Sequence, residues 1–240
     1  MKKILIVGAG AMGAAFSIPL LDNGHSVTLT EPYNFKLLKK LNSKKKYHPS
    51  LNINLPKKLK INKFSSDIFD RKWDLIVIAV SSIGIDLIGK NLSKIKNKSP
   101  ILVLTKGLKL DGRNLISMSS LLRKYKKNLN ISVLKGPCLA KELAKKVKSF
   151  TVVANKNINT AKKIGKLIST NYYQTEFSRD VNGVEFLSAI KNIYSMIIGA
   201  GHWYNTSSAL FRKSIDEMKY LSNYFKGKKE TVYGLSLIHI

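Results

Sequence analysis

Hydrophobic and polar positions follow two different periods along this chain, and each period predicts a different kind of element. Short apolar runs rich in β-branched residues predict strands at 4–7, 26–30, 74–80, 101–105, 131–134 and 150–154. Between them, apolar residues at helical spacing predict helices at 11–22, 35–41, 85–95, 115–125 and 139–146. This alternation is typical of βαβ units. We therefore predict an α/β fold with a doubly wound, mainly parallel sheet.

The chain after about Phe177 shows helical periodicity only. Two long segments, 181–199 and 207–225, predict the start of an all-α domain that occupies residues 178–240. The sequence stops shortly after the second segment. We therefore expect this domain to be incomplete and to expose the helix face that bears Phe211, Ile215 and Met218.

The charge balance is strongly basic, with 42 Lys and Arg against 14 Asp and Glu and a formal net charge of +28. Such an excess suggests an anionic partner. However, only five of these basic residues are arginine, and the lysines are spread along the chain without interleaved aromatic residues. Nucleic-acid readers use arginine for bidentate contacts and aromatic rings for stacking. Solvated surface lysines are the better interpretation, and we expect no nucleic-acid partner.

Cysteine usage and hydropathy indicate the compartment. A single cysteine, Cys138, excludes an internal disulfide and fits a reducing cytoplasm. The four histidines show no metal-ligand spacing. No stretch reaches the roughly 18 uncharged apolar residues that a membrane span needs. We expect a cytoplasmic protein with no membrane insertion and no bound metal.

A GxGxxG motif follows the first predicted strand and begins the first predicted helix. It contains Gly8, Gly10, Ala11, Met12 and Gly13. In Rossmann-type dinucleotide-binding domains its glycines permit a tight turn, the approach of pyrophosphate to the backbone, and close packing of helix on strand. The free N–H groups of the helix N-terminus then bind the phosphates. A glycine-rich turn without a ligand is the alternative, but the order of elements favours an NAD or NADP site in a domain spanning 1–177.

Glu31 follows the second predicted strand. An acidic residue there accepts hydrogen bonds from the ribose hydroxyls and repels a 2′-phosphate, which favours NAD over NADP. Two other interpretations stay open: Glu31 could instead serve the N-terminus of the next helix, and Lys36, Lys39 and Lys40 could accommodate a phosphate.

Seven segments, in order, resemble the NAD(P)-dependent glycerol-3-phosphate dehydrogenase family. They are GAGAMGAA at 8–15, NGHSVTL at 23–29, HPSLNINLP at 48–56, TKGL at 105–108, GPCLAKE at 136–142, VNGVEFLSAIKNIYSMIIGAG at 181–201 and NTSSALFRKSIDEM at 205–218. The resemblance implies an oxidoreductase that interconverts dihydroxyacetone phosphate and sn-glycerol 3-phosphate with NAD(P)H and supplies glycerophospholipid synthesis. It also implies a small phosphorylated substrate and a homodimer at full length. Two alternatives remain: a related reductase such as ketopantoate reductase, and a truncated nucleotide-binding fragment without activity.

Lys191 lies on the same helix face as Leu187, Tyr194 and Ile198. A lysine on a buried stripe is costly to charge and has a lowered pKa, which suits proton transfer near neutral pH. A lysine that extends to the surface from this face is the alternative. The family resemblance implies that Lys191 is the general acid/base, with Asn192 beside it orienting substrate.

The resemblance assigns four further positions to the site. It implies that Lys106, at the end of a predicted strand, binds substrate and cofactor and assists catalysis, that Gly136 and residue 138 bind the substrate phosphate, and that Ala140 lies near the nicotinamide. Cys138 stands where the family usually has a hydroxyl residue. Because sulfur is a weak hydrogen-bond partner, either phosphate affinity falls or the backbone N–H of Cys138 does the binding.

The last six residues, 235–240, depart from the family pattern and resemble translated adapter sequence. We therefore hypothesise that they are not native, and that the chain binds dinucleotide but turns substrate over poorly or not at all.

Overall fold

The computed structural model describes residues 1–94 and 98–234. Its twelve strands in these ranges are β1 Lys3–Val7, β2 Ser26–Glu31, β3 Tyr47–His48, β4 Ile53–Asn54, β5 Lys60–Lys63, β6 Leu75–Ile78, β7 Ile101–Val103, β8 Leu108–Asp111, β9 Asn114–Ser117, β10 Ile131–Lys135, β11 Ser149–Ala154 and β12 Tyr173–Ser178. The α-helices are α1 Ala11–Asp22, α2 Phe35–Leu41, α3 Ile85–Lys94, α4 Met118–Tyr125, α5 Ala140–Ala144, α6 Ile158–Ile168, α7 Val181–Gly199, α8 Tyr204–Tyr224 and α9 Thr231–Gly234. The predicted helix at 85–95 ends at Lys94, and its last residue lies outside the described ranges.

One eight-stranded sheet forms the centre of the molecule, in the order β12-β11-β10-β7-β6-β1-β2-β5. Neighbouring strands are parallel, except that β10 and β11 are antiparallel. The strand order reverses direction between β1 and β6, which is the doubly wound arrangement. The predicted fold class is confirmed.

Side chains of the central strands alternate between two apolar layers, as a sheet covered on both faces requires. On β1, Leu5 and Val7 join the layer that also contains Ile85 of α3, and Ile4 and Ile6 join the layer that contains Phe16 of α1. All four residues of β6 are buried. Because the strands on both sides of β1 run parallel to it, their carboxyl ends lie along one edge of the sheet, where the glycine motif also lies.

The helices after the sheet pack on one another and on its edge. Asp180 caps α7 by accepting a hydrogen bond from Gly183 N at 2.9 Å, and its other carboxylate oxygen accepts from Lys228 N at 2.7 Å. The predicted exposure of three α8 residues is only partly right: Phe211 is 37% exposed, but Ile215 and Met218 are buried. They face α7 and the sheet layer rather than solvent, since both belong to the same apolar cluster as Val184 and Leu187 of α7.

Several elements differ from the sequence-based prediction. The helix predicted at 115–125 begins at Met118, because residues 114–117 pair with 108–111 as a β-hairpin. The apolar runs did not predict β5 and β12, which lie at the two edges of the sheet and carry many polar side chains. They also did not predict α6, although its buried residues Ala161, Ile164, Gly165 and Ile168 follow helical spacing.

The two-domain division at 177/178 stays a prediction. Residues 235–240, for which we hypothesised a non-native origin, lie outside the described ranges.

Candidate active site

The glycine motif forms a turn between β1 and α1 whose shape depends on the missing side chains. Gly8 has φ +110°, and a Cβ there would lie 2.6 Å from the carbonyl carbon of Ala79 on the neighbouring strand connection. A Cβ on Gly13 would lie 2.0 Å from the carbonyl oxygen of Gly8, so this glycine permits close packing of α1 on β1. A Cβ on Gly10, in contrast, would meet nothing within 4 Å. Gly10 therefore leaves open space beside the N-terminus of α1, where a pyrophosphate would need it.

Buried side chains fix both backbone groups of Ala9, between the first two glycines. Ala9 N donates to Glu31 Oε2 at 2.7 Å, and His48 Nε2 lies 2.9 Å from Ala9 O. Leu51 N donates to His48 Nδ1 at 3.3 Å, so we assign the proton to Nε2, which donates to Ala9 O. The sequence analysis did not single out His48, although it lies in one of the family-like segments. The glycine turn therefore depends on contacts from Glu31 and His48 as well as on its own glycines.

Glu31 is the last residue of β2 and is buried. Its other carboxylate oxygen, Oε1, accepts from Tyr33 N at 2.9 Å and Asn34 N at 3.1 Å, ahead of α2. The side chain that caps α2 is that of Asn34, which accepts from Leu37 N. Glu31 therefore connects the glycine turn to the chain before α2, at the edge where the adenosine ribose would lie.

Five of the residues predicted for the substrate site line one cavity of about 420 Å³. They are Lys106, Gly136, Cys138, Lys191 and Asn192. A second cavity of about 320 Å³ shares Lys106, Gly136 and Cys138 with the first and is also lined by Met12 and Ala140. Together the two cavities extend from Met12, in the helix after the glycine turn, to Lys106 and Lys191.

Lys191 is half-buried on α7, with Leu187, Tyr194 and Ile198 buried on the same face. Burial lowers the pKa of its ammonium group, and the positive charge of Lys106 lowers it further. Both effects favour the neutral amine. This direction of shift suits an amine that donates and accepts a proton during the reaction.

Lys106 lies three residues beyond β7, at the carboxyl edge of the sheet, and its side chain is exposed. Gly107 follows with φ +135°, and a Cβ there would lie 3.0 Å from Ser82 Cβ. The chain therefore turns at Gly107 in a conformation that favours glycine. This turn leaves Lys106 lining both cavities.

The segment from Gly136 to Cys138 enters the site without a free N–H at Cys138. Cys138 N donates to Gly136 O at 2.9 Å. This N–H therefore already has a hydrogen-bond acceptor and is not free to bind the substrate phosphate. Burial raises the pKa of the Cys138 thiol to about 11, which keeps it protonated and unreactive at neutral pH. The helix that follows, α5, has only five residues.

Besides Asp180, two buried charged residues, Lys135 and Glu185, were not predicted from the sequence. Lys135 is the last residue of β10, and Glu185 lies in the first turns of α7. Glu185 accepts from Ser117 Oγ at 2.7 Å and Ser119 N at 3.1 Å. Each is a charge inside an otherwise apolar stretch, and that departure from the pattern was the available signal.

Within the described ranges, no group of three or more His, Cys, Asp or Glu residues could hold a metal ion. In the same part of the chain, no helix has the length and apolar character to span a bilayer.

A glycine turn at the carboxyl edge of a doubly wound sheet, with two lysines in the adjoining cavity, defines a nicotinamide-dependent oxidoreductase. Two family models match the chain: the N-terminus of NAD-dependent glycerol-3-phosphate dehydrogenase at residues 3–161, and the C-terminus of the same family at residues 180–238. The chain therefore belongs to the NAD-dependent glycerol-3-phosphate dehydrogenase family.

Individual relatives agree with this assignment. The chain is 30% identical to a glycerol-3-phosphate dehydrogenase [NAD(P)+] of Clostridium botulinum, over 98% of this chain and 72% of the relative. It is 27% identical to an NADP(+)-dependent glycerol-3-phosphate dehydrogenase of Archaeoglobus fulgidus, over 97% and 73%. Among solved structures, it is similar to glycerol-3-phosphate dehydrogenase from Coxiella burnetii, with a TM-score of 0.85, 25% identity, and coverage of 98% of this chain and 72% of that one.

Proposed function

We propose that this protein interconverts dihydroxyacetone phosphate and sn-glycerol 3-phosphate by hydride transfer with NAD(P)H. The observation that carries the proposal is the cavity that Lys106 and Lys191 share with Gly136 and Asn192, directly beside the cavity of Met12 and Ala140. The names of the relatives supply the substrate. This family match favours the proposal over ketopantoate reductase.

The residues present fit a dinucleotide, because Gly10 leaves open space at the N-terminus of α1. In addition, no described side chain caps that helix by a hydrogen bond. When bound, the cofactor supplies the hydride that the ketone carbon accepts. Gly8, Gly10, Ala11, Met12 and Gly13 would hold the pyrophosphate end, and Ala140 would flank the ring. The protein's own contribution is then binding, orientation and proton transfer.

Lys191 holds the proton that the substrate oxygen needs. In the reduction, the ammonium of Lys191 donates a proton to that oxygen as the carbon gains hydride, and the neutral amine accepts it in the reverse direction. Lys106 offsets the negative charge that develops on the oxygen and attracts the substrate phosphate. Asn192 orients the substrate, and Gly136 allows the phosphate to approach the backbone.

Glu31 favours NAD over NADP in this proposal. Its buried carboxylate is held at the end of β2 by three backbone N–H groups, so a 2′-phosphate would meet a fixed negative charge. We expect Glu31→Gln to improve the affinity for NADPH relative to NADH.

The wider setting follows from the family. We propose a cytoplasmic enzyme that supplies glycerophospholipid synthesis, takes a small phosphorylated substrate and forms a homodimer.

The test is a comparison of substrates and cofactors. Oxidation of NADH and of NADPH is followed with dihydroxyacetone phosphate and, separately, with ketopantoate, while calorimetry measures cofactor binding. We expect slow turnover with dihydroxyacetone phosphate and none with ketopantoate. Turnover with ketopantoate would contradict the proposal, and binding without any turnover would favour the nucleotide-binding alternative.

A further inference from the structure

The proposed mechanism does not use the buried ammonium group of Lys135. Only 2% of this residue is exposed. Its Nζ donates to Leu104 O at 3.1 Å and also to Thr105 O, which are the carbonyl groups of the two residues before Lys106. A lysine inside a sheet is costly to charge, so its presence calls for a role.

The position of Lys135 places that charge beside the proposed cofactor ring. Lys135 lines the smaller cavity together with Met12, Ala140 and Lys106. The carbonyl groups that it contacts satisfy two of its donors without neutralising its charge. Glu185 is the carboxylate that attracts it, and the oxygens of Glu185 already accept hydrogen bonds from Ser117 and Ser119. Lys135 and Glu185, both among the described residues, form no ion pair with each other, so Glu185 offsets only part of the positive charge.

We propose that Lys135 makes this cavity prefer the reduced cofactor, because its buried positive charge repels the cationic nicotinamide ring of the oxidised form and not the neutral ring of the reduced form. The inference rests on the proposed function, since it requires the ring to occupy the cavity of Met12 and Ala140. Lys135 is a positioning residue that acts through its charge and takes no part in proton transfer. The result is tighter binding of NADH than of NAD⁺.

The preference for NADH over NAD⁺ should depend on pH. Burial lowers the pKa of Lys135 to about 8, so the ammonium form predominates at pH 6.5 and the neutral amine predominates at pH 9.5. Of the groups that face it, Glu185 on α7 raises this pKa and Lys106 lowers it. Cys138 and Lys191 also line the adjoining cavities; burial raises the pKa of the Cys138 thiol and lowers the pKa of the Lys191 amine. The neutral amine keeps enough donors for both carbonyl groups, so deprotonation removes the charge without removing the hydrogen bonds.

The experiment measures the dissociation constants of NAD⁺ and NADH by calorimetry at pH 6.5. Lys135→Met removes the charge and the donors, Lys135→Gln removes the charge and keeps two donors, and Lys162→Met is a control that removes an exposed charge on α6. We expect the ratio of the NAD⁺ constant to the NADH constant to fall about tenfold in both Lys135 variants, as one charge acting through a partly polar interior predicts. The Lys162 control should keep the original ratio.

Two outcomes would overturn the inference: an unchanged ratio in both variants that still bind NADH, or a ratio that falls in Lys135→Met and stays unchanged in Lys135→Gln. Failure of the unmodified chain to bind either cofactor would instead contradict the proposed function. If the Lys135 variants do not fold, the ratio is measured at pH 6.5 and 9.5 in Lys191→Met, which removes the other lysine of lowered pKa. There the ratio should fall by a similar factor, and a constant ratio would overturn the inference.

Discussion

The cofactor side and the substrate side of this site are built in different ways. The glycine turn is made of backbone, and the buried side chains of Glu31 and His48 hold it at Ala9. The substrate side is made of long charged side chains, with Lys106 exposed and Lys191 half-buried. Changes on the cofactor side should therefore affect both folding and binding, whereas changes on the substrate side should affect chemistry and leave the fold intact.

The largest effect should come from Lys191→Ala. Loss of a general acid typically reduces turnover by about 10²–10⁴-fold, and we expect that reduction in kcat. The dissociation constant of NADH should stay unchanged, because Lys191 lies outside the cavity of Met12 and Ala140. Stopped-flow turnover and calorimetry measure the two quantities, with Lys162→Ala as the matched control. A variant that retains most of the turnover would show that the proton comes from another group.

Two glycine variants should separate folding from binding on the cofactor side. Gly8→Ala places a Cβ against the backbone of Ala79 at positive φ, and we expect a loss of about 2 kcal/mol or more in the free energy of unfolding. Gly10→Ala meets no neighbour in the protein, so its stability should match the unmodified chain while its NADH affinity falls. Urea denaturation and calorimetry on both variants check this contrast. Equal stability of the two would contradict it.

His48→Leu should have a smaller effect of mixed kind. It removes the donor to Ala9 O and leaves that carbonyl group buried, at a cost of about 1–3 kcal/mol in unfolding free energy. A turn held less firmly should also bind NADH more weakly. His48→Asn, which keeps a donor, should recover part of both losses. Stability and affinity that are both unchanged in His48→Leu would show that the contact does not hold the turn.

Cys138→Ser should have the smallest effect and should test the substrate side alone. A hydroxyl is a better hydrogen-bond donor than a thiol. We expect the KM for dihydroxyacetone phosphate to fall a few-fold while kcat stays constant. An increase in KM would show that the buried thiol packs better than a hydroxyl at this position.

The sequence predicted the parts of the molecule that local pattern determines. Residues 11–22, 35–41 and 181–199 form helices with the predicted bounds, because each carries apolar residues that become buried and has a turn or cap at its ends. Gly8, Gly10 and Gly13 could be assigned roles because backbone geometry alone explains them. The lysine pair could be placed in one site because the resemblance named both positions.

The missed features depend on contacts across the fold. β5 and β12 are polar, and they form strands only because a neighbouring strand offers hydrogen bonds at each edge of the sheet. His48 lies 39 positions from Ala9, and no local rule connects them. Lys135 follows an apolar run, but only the sheet brings its side chain beside Leu104 and Thr105. Ile215 and Met218 are buried because α8 packs against α7.

Asp180 has a consequence for the placement of the reactive amine. Its carboxylate holds the first turn of the helix that carries Lys191 and, through Lys228 N and Thr231 Oγ1, the chain just after α8. Gly227 lies so close to Gly183 that a Cβ there would be 2.6 Å from the Gly183 Cα. These contacts hold α7, α8 and α9 together at one end, and no side chain would fit at Gly227 between them. We therefore expect any motion that brings Lys191 toward a ligand to carry α7, α8 and α9 together.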